Sequence, residues 1–173
     1  LASIYKFFEN KEGLFRAIVE RGFDDFRAQI DEKIDLSLSH KLEDFLIKFA
    51  AIFFDIICDK ETTLISRVMM SEGAKNDGML GKAFLEQILS KFDKVLIDFF
   101  EREDIRVQLN PCISPYVAAK AFAAVVREPY HYNAILLNED ITLSAEERKE
   151  HVKTRIDMFL SLIHISEPTR QAE

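Results

Sequence analysis

The chain has 173 residues, 48% of them hydrophobic and 31% charged, which excludes a disordered polymer and fits one soluble globular domain, with or without a small appendage. Its 23 Lys and Arg against 30 Asp and Glu give a net charge of −7. That excludes a strongly basic nucleic-acid glove, though not a local basic face.

Five Gly and four Pro suit long helices better than a many-turned β-sandwich. The two cysteines, Cys58 and Cys112, cannot build a disulfide framework and read as reduced thiols of a cytoplasmic protein. The longest apolar stretch, Phe45 to Cys58, carries Lys48 and Asp55 and is too short and too charged to span a bilayer, so no membrane role is expected. The chain opens on Leu1 inside a helical pattern, with no secretory signal pattern, and its start reads as cut.

Apolar spacing predicts helix after helix. Leu1, Ile4 and Phe8 share one side of a first short helix. Asn10 is placed to cap a second, whose stripe of Leu14, Ile18, Val19, Phe23, Phe26, Ile30 and Ile34 predicts a run from Lys11 to about Ile34. Ser39 is a candidate cap for the next, where Leu42, Phe45, Leu46, Phe49, Ile52, Phe53 and Ile56 form a face wide enough for burial on more than one side. A shorter helix is predicted from Thr63 to about Gly73, then a turn at Asn76, Asp77 and Gly78. Leu80, Phe84, Ile88, Leu89, Phe92, Leu96 and Phe99 predict one helix from Met79 to about Glu103. Tyr116–Leu137 reads as one Ala-rich helix kinked at Pro129. A last helix starts near Ser144, with Glu147 at the capping-box position, and carries Val152, Ile156, Phe159 and Leu160 on one face. From Leu162 onward the tail reads as a translated cloning adapter, and 162–173 is set apart as non-native.

The densest signal is the opening S-I-Y-K-F-F-E-N-K-E-G-L-F. Through Ile4, Tyr5, Phe8, Lys11, Glu12 and Leu14 it resembles the joint between the recognition helix and the following helix in the TetR family of transcriptional regulators. The resemblance implies an all-α fold: a remnant of a helix-turn-helix unit over residues 1–35, followed by a ligand-binding and dimerisation bundle over 36–161. Beside the resemblance, the helical wheel places Ala2, Ser3 and Lys6 opposite the packed face. Little bulk, a hydroxyl and a cation suit a helix pressed into a major groove. Tyr5 and Lys11 flank that surface, where each can meet a phosphate. Ala2, Ser3, Tyr5, Lys6 and Lys11 are therefore the candidate DNA-binding residues. The first two helices of the unit would precede Leu1, so this fragment is expected to bind double-stranded DNA weakly or not at all.

The resemblance further implies a small-molecule sensor that dimerises through its last two long helices, about 116–137 and 144–163. Ala118, Ala119, Ala121, Ala123 and Ala124 would allow close helix approach there. Phe49, Phe53, Met69, Phe84 and Phe92 are candidates to line a cavity for an apolar or amphipathic ligand, with Arg67, His131 and Tyr132 as its polar contacts. The function so implied is a ligand-responsive repressor that binds a palindromic operator as a dimer. The alternative is a helical small-molecule carrier with no DNA role. No enzyme, cofactor or metal centre is expected. His40, His131, His151 and His164 are scattered, Glu147 and His151 lack further ligands, and no phosphate loop, nucleophile elbow or paired-Cys spacing is present.

Overall fold

A computed structural model describes residues 10–35, 41–73, 75, 78–137 and 139–163. Helix α1, Lys11–Lys33, begins at Asn10, whose side-chain oxygen accepts a hydrogen bond from the Gly13 amide at 2.8 Å. It ends where Ile34 turns extended. Its buried stripe is Phe26, Ile30 and Ile34, with Phe23 partly covered.

Helix α2, Leu42–Cys58, buries Leu42, Phe45, Leu46, Phe49, Ala50, Ile52, Phe54, Ile57 and Cys58. That spread covers most of its circumference, and α2 is the central rod of the bundle. Residues 36–40, including the expected cap Ser39, lie outside the described residues. Asp59 separates α2 from α3, Lys60–Glu72, and caps α3 by accepting from the Glu61 and Thr62 amides at 2.9 and 3.1 Å. Helix α3 thus starts earlier than Thr63, because its first turn is polar and leaves no apolar stripe to read.

Gly78 takes φ +75°, a left-handed conformation that favours glycine. Asn76 and Asp77 of the expected turn lie outside the described residues. The single helix expected from Met79 to about Glu103 is divided. It comprises α4, Met79–Phe84, a wide π turn, Leu85–Leu89, then α5, Ser90–Glu101, and the short α6, Glu103–Arg106. Arg102 is extended between the last two. At Gly81, α4 passes so close to the end of α3 that an added Cβ would stand 2.8 Å from the Gly73 carbonyl oxygen.

Helix α7, Pro115–Arg127, starts at Ser114, whose hydroxyl accepts from the Val117 amide at 3.2 Å, with Pro115 in the first turn. The expected kink at Pro129 is a complete break. Glu128 is extended, as a residue before proline prefers, and α8 begins afresh as Tyr130–Leu137. Helix α9, Ala145–Ile163, opens with the expected capping box. The Ser144 hydroxyl accepts from the Glu147 amide at 3.2 Å, and the Glu147 carboxylate accepts from the Ser144 amide at 2.8 Å. The helix continues past the boundary expected at 161. Ile163 is buried, and its carbonyl accepts from the Asn110 amide at 2.8 Å.

The bundle forms as α5, α7 and α9 pack side by side around α2, with α1 packed on α2 and the π turn and α3 paired with α8. Phenylalanine holds it together. Phe26 of α1 meets Phe49 of α2 edge-on at 5.6 Å. Phe49 meets Phe122 of α7 at 5.7 Å. Phe122 meets Phe159 of α9 at 5.5 Å. All four rings are fully buried, so a single aromatic relay ties four helices, each pair adding to area burial by its edge-to-face geometry.

Candidate functional site

Where the phenylalanine relay stops, smaller residues leave a space. A cavity of about 380 Å³ opens between α1, α2, α3, α4, the π turn, α5, α7 and α8. Ile18 and Gly22 of α1, Phe53, Ile56 and Ile57 of α2, Ile65 of α3, and Phe84, Leu89 and Phe92 supply apolar wall. Gly22 has open space where a Cβ would stand, and Ala123 and Ala124 of α7 keep the opposite wall thin. Phe92 is held by Phe23 and Phe26, with ring centroids 5.1 and 4.8 Å away.

The polar lining is sparse and mostly paired. Lys120 forms an ion pair with Asp93, and both line the cavity. The Arg127 guanidinium pairs with Glu128 at 3.1 Å and lies over the Tyr132 ring, 5.7 Å from its centroid. Ser66 donates its hydroxyl proton to the Thr62 carbonyl at 2.9 Å. His131 is 9% exposed. Its Nδ1 is buried with no hydrogen-bond partner. Burial first, and the Arg127 charge second, push its pKa below the ordinary histidine value, so the ring is neutral near pH 7.

Four of the expected ligand residues, Phe53, Phe84, Phe92 and His131, line this cavity. The other four do not. Phe49 is consumed by the relay between Phe26 and Phe122. Met69 is buried elsewhere on α3. Arg67 donates through Nε to the Ala134 carbonyl at 3.3 Å, fastening α3 to α8. Tyr132 is 46% exposed beneath Arg127 on the outer surface. Sequence reasoning missed Lys120 and Arg127. The signal was the stripe Lys120, Ala123, Ala124, Arg127 at helical spacing on α7, of which only the two alanines were considered, as part of a dimer face.

Ala118 and Ala119 are fully buried within the protomer, where α7 packs on α5 and α9; they are not a free surface for a second copy. The apolar side chains that α7 and α9 do expose are Tyr116, Val117, Met158 and Leu162. Among the candidate DNA-binding residues, Ala2, Ser3, Tyr5 and Lys6 lie outside the described residues. Lys11 is the first residue of α1, as expected, and its side chain is likewise outside the description. Among the described residues, no group of three or more His, Cys, Asp or Glu could hold a metal ion. None of their helices is long and apolar enough to cross a membrane.

Comparison with known proteins matches this architecture. Solved structures share the fold along nearly the whole chain. A TetR-family transcriptional regulator from Mesorhizobium loti MAFF303099 superposes with a TM-score of 0.75 at 20% identity, over 95% of this chain and 80% of that one. The flavonoid-responsive regulator FrrA gives 0.71 at 19% identity, over 96% and 81%. A TetR family transcriptional regulator from Pseudomonas syringae pv. tomato str. DC3000 gives 0.69 at 18% identity, over 96% and 80%. No curated protein matches the sequence significantly. Residues 44–162, well over half of the chain, match the family described as AefR-like transcriptional repressor, C-terminal domain. With that match spanning α2 to α9, the chain belongs to the TetR family of transcriptional regulators.

Proposed function

We propose that this regulator is a ligand-responsive repressor that binds a palindromic operator as a homodimer in the cytoplasm. The observation that carries the reading is the double use of α1. The helix begins at Lys11, directly after the segment expected to read DNA, and its Ile18 and Gly22 form cavity wall. A molecule that fills the cavity therefore touches the element leading to the groove-reading residues. By linkage, an effector that binds best to one position of α1 disfavours DNA binding in that state. The description of FrrA as flavonoid-responsive supports a small-molecule effector for this fold.

In this reading, residues 1–35 are the DNA-binding remnant and 36–161 the effector and dimerisation unit. Ala2, Ser3, Tyr5, Lys6 and Lys11 contact DNA. Tyr116, Val117 and Met158 supply the apolar part of the dimer face, since exposed apolar side chains on paired helices mark such contacts.

The test is a mobility-shift assay of the gene product against duplexes selected from a random pool. Affinity should fall steeply with salt, and Tyr5→Phe with Lys6→Ala should weaken binding of every selected duplex. Ala124→Phe, which fills the cavity, should leave operator affinity intact while abolishing release by any effector of the parent protein. Sedimentation should give a dimer for the parent and a monomer for Met158→Asp with Val117→Asp. Salt-insensitive or absent DNA binding would sink the proposal.

A further inference from the structure

The charged residues of the cavity wall are unevenly matched inside it. Lys120 and Arg127 stand about two turns apart on α7, and His131 is neutral near pH 7. Alone, that wall would be a receptor for an anion. Asp93 of α5 changes this. Among the described residues it is the one acid that lines the cavity, and it forms an ion pair with Lys120. Glu128, which pairs with Arg127 at 3.1 Å, is not part of the wall. The Arg127 charge is thus met from outside the cavity and the Lys120 charge from within it.

Both partners of the inner pair are held in place. Asp93 follows Phe92, whose ring is clamped by Phe23 and Phe26, and its side chain is 16% exposed. The Lys120 ammonium also lies 5.7 Å from the centre of the Tyr116 ring, a contact that favours a cation there. An anionic guest approaching Lys120 would have to displace an acid of the wall or sit against it. It would also give up its hydration in a space walled by Phe53, Phe84 and Phe92. A cationic guest would meet Lys120 and Arg127. A neutral guest avoids both penalties and keeps the apolar contact area.

We propose that Asp93 is the charge filter of the cavity: by occupying Lys120 from inside the wall, it reserves the space for uncharged apolar effectors and turns away organic anions of the same shape. This inference rests on the reading of the cavity as the effector site, and the probes separate the two. N-phenylnaphthylamine and anilinonaphthalenesulfonate share one ring skeleton and differ by a sulfonate, and both fluoresce on entering apolar surroundings. Each is titrated into the chain, and the signal that Ala124→Phe removes is counted as cavity binding. The readout is the ratio of the two dissociation constants. Wild type should favour the neutral probe. In Asp93→Asn, which frees Lys120, the ratio should move about tenfold toward the sulfonate, the scale of one charge-assisted hydrogen bond in a partly exposed pair. In Lys120→Met, which leaves Asp93 alone in the wall, it should move about tenfold the other way. Looser packing would shift both variants alike, so opposite signs are the mark of charge, and either variant alone gives a sign should the other not fold. A wild type that prefers the sulfonate, an unchanged ratio, or a shift against either sign would overturn the filter and leave the cavity as a ligand site. Cavity binding by neither probe would overturn both.

Discussion

Phe122→Ala probes the aromatic relay at its hub. Phe122 is fully buried and meets Phe49, Phe53 and Phe159 at 5.7, 6.4 and 5.5 Å. Truncating a buried phenylalanine costs about 3–5 kcal/mol, and the cost is largest where neighbours cannot collapse into the gap. Here they are held from behind: Phe49 by Phe26 and Phe45, Phe159 by Phe100. The upper part of the range, about 4–5 kcal/mol, is therefore expected. At about 2–4 °C per kcal/mol for a chain of this size, Tm should fall by roughly 8–20 °C. The assay is urea and thermal unfolding followed by circular dichroism, at fixed protein concentration because any self-association would shift the midpoint. Val107→Ala, at a position 71% exposed, is the control and should stay within about 0.5 kcal/mol of wild type. A loss below about 1.5 kcal/mol for Phe122→Ala, well under the range for a rigid buried site, would refute the relay as the principal tie between α2, α7 and α9.

Four further outcomes follow from local chemistry. Ser144→Ala should destabilise the chain by about 1 kcal/mol through loss of the α9 cap, read as a lower urea midpoint; an unchanged midpoint would contradict the capping box. The Ser144 hydroxyl and amide hold the Glu147 carboxyl below its ordinary value. Its stabilising contribution is thus present above the ordinary glutamate range and lost as pH falls through the lowered folded value, and Glu147→Gln should remove that acid dependence. Burial, as the first cause, also lowers the pKa of both His131 and His151. The unfolded chain then binds more protons, so stability should drop as pH falls below the ordinary histidine value of 6.5, and His131→Phe should flatten that slope in urea titrations at successive pH values. Ellman's reagent should modify one thiol of the folded chain quickly and two after denaturation. Cys112 is exposed, whereas burial pushes the Cys58 thiol up to about 12.

The helices whose apolar residues face one neighbour were legible in the sequence. The start of α1 at Asn10 and the capping box of α9 were read from side chains that act within a single turn. What stayed hidden depends on backbone breaks or on facing partners. The apolar spacing through Leu80, Phe84, Leu89 and Phe92 suits an unbroken helix, and a stripe does not reveal the wider π turn inside it. Pro129 signalled a disturbance in one helix. That it ends α7 altogether follows from the extended backbone of Glu128, which starts α8 on a new axis.

The cavity shows the same limit. Phe49 and Phe53 are one turn apart on one helix face. Both meet the Phe122 ring, but the first is enclosed between Phe26 and Phe122 in the core, whereas the second also lines the cavity. A helical wheel cannot separate them, because the difference lies in the helices packed around α2. His131 was singled out for its polarity, but its unpaired nitrogen is a property of the surroundings that only the assembled bundle creates.

Helix α7 leaves a consequence for how this protein can change. Ala118, Ala119, Phe122 and Val126 face inward, Lys120, Ala123, Ala124 and Arg127 bound the cavity, and Tyr116 and Val117 look outward. Little of its 13-residue length is idle. A mutation here that retunes chemical preference also presses on the hub of the fold, so new specificities should arise more readily from the walls contributed by α3 and the π turn, where Ile65 and Leu89 face the cavity without belonging to the buried core.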